Sequence, residues 1–204
     1  IHFSEKEPAE LYYADFDNNG SIDPFLNCYV EGKSYPFVSR DELNDQIYSM
    51  RKKFTSYKDY SNATMQDIFS KDELAKASKL TATESNTVCY LNKGEKFTKV
   101  VLPLQAQFSV VTKILANDFN HDGKMDILLL GNHSDNRLKI GSIDANLGCL
   151  LEGDGKGNFS NISQTLSGLS VKGDVKSADI IELNNTKYLM IGVADGPVQF
   201  YKMN

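Results

Sequence analysis

Three cysteines, Cys28, Cys89 and Cys149, are all the chain contains, and no two of them form a CxxC pair. Each sits in an apolar, strand-like context. A buried free thiol behaves as a small hydrophobe, which is the simplest reading of all three. One disulfide with a thiol left over remains the alternative. No Lys/Arg cluster looks like a phosphate-binding patch, and the formal net charge is −5, so a nucleic-acid partner is disfavoured. No apolar stretch approaches the roughly 20 residues of a membrane span. Glycine-rich phosphate loops are missing as well, because Gly153–Gly157 leads into a strand-like segment and not a helix. The three histidines, His2, His121 and His133, fall in no grouping with serine, cysteine or aspartate that suggests a nucleophile. The acidic residues that do have a recognisable spacing are committed elsewhere.

What is present is an ordinary globular composition: 41% hydrophobic and 24% charged residues over 204 positions. That length buries a real core, as one large domain or two small ones. The chain begins at Ile1, as a processed or truncated product would.

Two segments share one pattern. Asp15-Phe-Asp17-Asn-Asn19-Gly20-Ser21-Ile-Asp23 and Asp118-Phe-Asn120-His-Asp122-Gly123-Lys124-Met-Asp126 both read D-x-[DN]-x-[DN]-G-x-x-D. Oxygen side chains fall at positions 1, 3, 5 and 9. Glycine at position 6 permits a sharp turn, and the carbonyl of position 7, Ser21 or Lys124, can point inward. Such a set of hard oxygen donors suits Ca²⁺ better than zinc or copper. These are not EF-hands: position 12 is Leu26 or Leu129 where a bidentate glutamate would be needed. Ile127–Gly131 reads as a buried strand following the second loop, and Pro24 argues against a helix following the first.

The loops belong to a repeat. Gly94 and Gly155 lie 61 positions apart in two similar hairpin patterns, Val88–Phe97 and Cys149–Phe159. Phe97 reaches Asp118 after 21 residues and Phe159 reaches Asp179 after 20; Asp118 to Gly131 and Asp179 to Gly192 are both 13 steps. Tyr188–Gly192 therefore matches the strand after the second loop. The third copy has lost its oxygens: Ile181, Leu183 and Lys187 occupy positions 3, 5 and 9, and Asn184-Asn185 reads as a hairpin turn.

The first loop precedes the second by 103 residues, about 42 more than one repeat. From Ser39 to about Leu80 the pattern turns helical. Ser39-Arg-Asp-Glu42 is a capping box ahead of Leu43, Ile47, Met50 and Phe54, which lie on one helical face. Thr64–Asp67 and Ser70–Glu73 mark two more helix starts, with Thr55 to Asn62 as a connecting loop. The expected organisation is a partial blade over 1–38, a helical insertion over 39–80, a blade over 81–146 and a final blade over 147–204. The insertion reads as removable without loss of the β repeat. Repeats of about sixty residues in four short strands point to propeller blades, so the predicted class is all-β with an α insertion: about three blades of a larger propeller. Open blade edges predict self-association of this chain.

The cation loop, the apolar strand after it and Gly153-Asp-Gly-Lys-Gly-Asn-Phe159 together resemble the FG-GAP/VCBS-repeat proteins, bacterial secreted or surface β-propellers related to the integrin α-chain head. The resemblance covers about residues 10–38 and 81–204. It implies blade topology, an extracytoplasmic location and Ca²⁺ held at two sites. The ligands it implies are Asp15, Asp17, Asn19, Ser21 and Asp23, and Asp118, Asn120, Asp122, Lys124 and Asp126. Members of this family are adhesins, scaffolds, receptor domains and parts of carbohydrate-active enzymes. Two functions follow: a non-catalytic module binding an extracellular protein or glycan, or the propeller part of a calcium-dependent polysaccharide lyase. The absence of a selectable catalytic group favours the first.

Overall fold

A computed structural model describes residues 3–203; His2 lies outside the described residues. The chain forms two compact units, Ile1–Ser85 and Asn86–Asn204.

The first unit opens with a meander: β1 (Ala9–Ala14), β2 (Asp23–Val30) and β3 (Lys33–Pro36), all antiparallel. Five short helices follow: α1 (Arg40–Gln46), α2 (Met50–Lys53), α3 (Tyr57–Tyr60), α4 (Met65–Ile68) and α5 (Lys71–Lys76). The chain then returns as β4 (Ser78–Ala82) against the far side of β1, giving the order β3-β2-β1-β4. Every second residue of β2 faces the helices, so Phe25 is fully buried while Leu26 stays 40% exposed. The expected helical face is buried throughout at Leu43, Ile47, Met50 and Phe54, but the helix breaks between α1 and α2. The segment expected as a loop, Thr55 to Asn62, carries a helical turn of its own. Ser56 and Asp59 cap it reciprocally, the same device that starts α1 and α5. Nor is the insertion a satellite. Of the ten buried residues in this unit's core, only Phe16 and Phe25 come from outside it; Leu43, Ile47, Met50, Phe54, Ala63, Met65, Ile68 and Phe69 are all its own.

The second unit begins with a hairpin of β5 (Val88–Asn92) and β6 (Phe97–Val101), followed by a 3₁₀ turn at Leu104–Gln107. Then come β7 (Val111–Asn117), β8 (Asp126–Gly131), β9 (Cys149–Gly153) and β10 (Phe159–Ile162), an uninterrupted four-stranded meander. A helical turn, α6 (Gln164–Ser167), leads to a three-stranded meander of β11 (Val175–Leu183), β12 (Thr186–Val193) and β13 (Gln199–Lys202). β8 is buried on both faces. Leu128 and Leu130 pack toward Leu189 and Ile191 of β12, and Leu129 packs with Leu102, Cys149 and Leu151 on the other side. This explains the unbroken apolar run Ile127–Leu130.

The chain is thus mostly β, with four antiparallel sheets and short helices. The expected boundary at 146/147 cuts through one sheet. Each sequence repeat is a pair of hairpins, and the second hairpin of one repeat joins the first hairpin of the next in β7–β10, so the sheet and the repeat are half a period out of phase. The Asn184-Asn185 turn is as expected: both residues have left-handed φ, 49° and 59°, as a two-residue hairpin needs. All three cysteines are free thiols. Burial pushes Cys149 up to about 11, so it is inert near neutral pH.

Candidate metal centre

The two D-x-[DN]-x-[DN]-G-x-x-D segments occupy the same place in their sheets. One joins β1 to β2 and the other joins β7 to β8, each between the paired strands of a hairpin.

The backbone hydrogen bonds accepted at positions 1, 3 and 5 coincide in the two loops. At position 1, Asp15 accepts from Asn19 N at 3.0 Å and Gly20 N at 2.9 Å; Asp118 accepts from Asp122 N at 3.1 Å and Gly123 N at 2.9 Å. At position 3, Oδ1 of Asp17 or Asn120 accepts from the position 5 amide, at 3.2 and 3.0 Å. At position 5, Oδ1 of Asn19 or Asp122 accepts from the position 7 amide of Ser21 or Lys124, at 2.8 and 2.9 Å. Position 4 is left-handed in both, Asn18 at φ 59° and His121 at φ 62°. Position 6 is glycine with φ 88° and 82°, a left-handed backbone that glycine adopts without steric cost.

Position 9 anchors each loop to its sheet. Asp23 and Asp126 are buried, and Oδ2 of each accepts from the amide of position 2, Phe16 or Phe119, at 3.0 Å. The other oxygen goes to a long-range partner. Asp23 Oδ1 accepts from Gln46 Nε2 of α1 at 3.0 Å, and Asp126 Oδ1 accepts from Gly153 N at the end of β9, also at 3.0 Å. Gly153 must be glycine, since a Cβ there would lie 2.1 Å from Met125 O. Neither partner is visible from the loop motif.

A carboxylate offers about four lone-pair sites. These amide bonds occupy only some of them. In the first loop Asp15, Asp17 and Asp23 each bring a carboxylate oxygen within 4.8 Å of the other two. Three like charges at that spacing repel, and a divalent ion among them relieves the repulsion. Among the described residues, Asp118, Asp122 and Asp126 of the second loop do not come together in this way, and two of its side chains pair differently. Lys124 Nζ pairs with Asp122 Oδ2 at 2.8 Å, which holds the Asp122 carboxyl below its usual range. Asn120 donates to Glu152 Oε1 of β9 at 2.9 Å. A built-in ammonium thus shares the carboxylate that an incoming ion would use.

His133 pairs its backbone with Ile143, donating at 2.8 Å and accepting at 3.0 Å. Asp179 and Lys187, the positions 1 and 9 of the degenerate third copy, lie within the strands β11 and β12, so nothing there resembles a cation loop.

Comparison with protein-family models, with curated proteins and with solved structures finds no match to this chain.

Proposed function

We propose that this chain is a calcium-binding β-repeat module of the FG-GAP/VCBS type, part of a propeller, that serves extracytoplasmic binding or scaffolding and not catalysis. The single observation carrying this reading is that two loops 103 residues apart repeat the same hydrogen bonds at every ligand position. Polar turns that bind nothing have no reason to preserve five positions so closely. The meander β7–β10, with the second loop between its first two strands, is the arrangement a blade requires. Each Ca²⁺ would be held by position 1, 3, 5 and 9 side chains and the position 7 carbonyl, fastening the start of one strand to its neighbour. Among the described residues no helix is long and apolar enough to cross a membrane. The partner class proposed is an extracellular protein or glycan. The open edges of the sheets make self-association through strand pairing part of the same reading.

Thermal unfolding in calcium and in chelator tests it. At a hundredfold excess over Kd, one site adds about 2.7 kcal/mol. For a chain of this size that raises the midpoint by roughly 5–10 °C. Asp15→Ala and Asp118→Ala should each remove part of the rise. Identical midpoints with and without calcium would overturn the proposal.

A further inference from the structure

The strands that follow the two cation loops are connected onward in different ways. β2 and β3 are joined by two residues, Glu31 and Gly32. In the second unit β8 ends at Gly131 and β9 begins at Cys149, so residues 132–148, 17 in all, fill the same place. Connections longer than about 12–15 residues with no structure of their own are uncommon in compact domains and usually functional.

This loop is fastened at its base. Asn132 and Asn146 are both buried; Asn132 Nδ2 donates to Asn146 O at 2.8 Å, and Asn146 N donates to Asn132 Oδ1 at 2.9 Å. Ser134 donates from N and Oγ to the Asp174 carboxylate at 2.9 and 2.8 Å. Beyond the His133–Ile143 bridge the chain runs outward. Every residue over 137–142 is exposed, and Leu138 is fully so. One turn closes the tip, with Arg137 O accepting from Ile140 N at 2.8 Å and from Gly141 N at 3.1 Å.

The tip reads Arg137-Leu138-Lys139-Ile140-Gly141, two basic residues each followed by an aliphatic one. An endopeptidase takes its substrate as an extended segment, so the free energy of local opening decides which bond is cut. Exposed loop tips are the preferred places. Lys93 and Lys96 face each other across a tight hairpin turn, where Lys93 N donates to Lys96 O at 2.8 Å, and Lys156 lies in the short turn between β9 and β10. Extending either turn unpairs strands. Opening residues 137–142 breaks one turn and leaves the β8–β9 pairing, Ile127↔Leu151 to Leu129↔Cys149, in place.

We propose that residues 137–142 are a processing site for a trypsin-like endopeptidase, cut after Arg137 or Lys139, and that the nicked chain stays folded as two associated pieces. Water adds across the peptide bond. Its hydroxyl goes to the carbonyl carbon of Arg137 or Lys139, and its proton goes to the nitrogen of Leu138 or Ile140. Contacts across the cut hold the pieces together: β8 pairs with β9, Leu128 and Leu130 pack with Leu189 and Ile191, and Thr112 Oγ1 donates to Val175 O at 2.7 Å. The inference rests on loop length, exposure and sequence, so it stands or falls separately from cation binding.

The test is limited digestion of the whole chain by trypsin in the presence of calcium, read by mass spectrometry and size exclusion. Apart from trimming at Lys6 and Lys202, the first internal cut should follow Arg137 or Lys139. The two pieces should co-elute and separate only in denaturant. The double variant Arg137→Gln, Lys139→Gln should slow the first internal cut at least tenfold. Leu138→Pro with Ile140→Pro, which blocks both bonds and keeps both charges, should do the same, and a dispersed NMR spectrum confirms that each variant is folded. A first internal cut at the Lys93–Lys96 turn or in the helical segment, undiminished cutting of either folded variant, or pieces that part without denaturant would each overturn the inference.

Discussion

The reciprocal caps of the helical segment show how single side chains set local structure. Thr64 donates from both N and Oγ1 to the Asp67 carboxylate, at 2.8 and 2.7 Å, and Ser70 does the same to Glu73, at 2.7 Å each. The hydroxyl bond first, and the backbone bond second, hold Asp67 and Glu73 below their ordinary values of 3.8 and 4.5. A carboxyl depressed in the folded state contributes stability that is complete above its unfolded value and is lost as pH falls through the folded one. The helical signal of α4 and α5 should therefore stay level from pH ~7 to ~5 and fall below about pH 4. Amide shifts of Asp67 and Glu73 followed across that range check this; a transition near neutral pH would contradict it. These caps were legible because every partner lies within three residues. The turns of the two D-x-[DN]-x-[DN]-G-x-x-D loops were legible for the same reason. Gln46, Gly153 and Glu152, which complete the two loops, were not, since they arrive from distant strands and helices. Phe16 and Phe119 stood in the open as the unspecified second residue of the motif, and only packing reveals their use.

Among the elements, apolar period placed the buried faces well and placed boundaries less well. Leu43, Ile47, Met50 and Phe54 are all buried as one stripe, yet two short helices share them, because tertiary contacts and not continuous helix hold the stripe inward. The phase of the sheets was beyond reach. A repeat of hairpins states which strands are alike, and hydrogen bonding between hairpins decides which of them share a sheet. The role of the insertion was hidden likewise, since capping boxes announce helices and say nothing of what they cover. Phe69, packed against Phe16 and Phe25, makes the point testable. Phe69→Ala should cost about 3–5 kcal/mol, as large-to-small changes of a buried ring do. Replacing Arg40–Ala77 by a short Gly/Ser linker should abolish the dispersed NMR signals of β1–β3, while those of β7–β12 persist. Survival of the β1–β3 signals in the linker variant would show that the sheet does not need this cover.

At the scale of the molecule, the chain repeats one device in two settings. A loop of oxygens joins two strands, its last aspartate is buried, and its second residue is a phenylalanine turned into the core. In the first unit that core is closed by helices, and in the second by sheets that leave a cleft. The proposed propeller rests on the repeat and on the resemblance of the loops. The central claim of the proposed function is that both loops are cation sites. Isothermal titration of Ca²⁺ into chelator-stripped protein addresses it most directly. The account predicts two ions per chain, the weaker at the second loop, where Lys124 already shares Asp122. Asp15→Ala and Asp118→Ala should each reduce the count to one. A chain that takes up no calcium at millimolar concentration, or whose uptake is untouched by both substitutions, would contradict it.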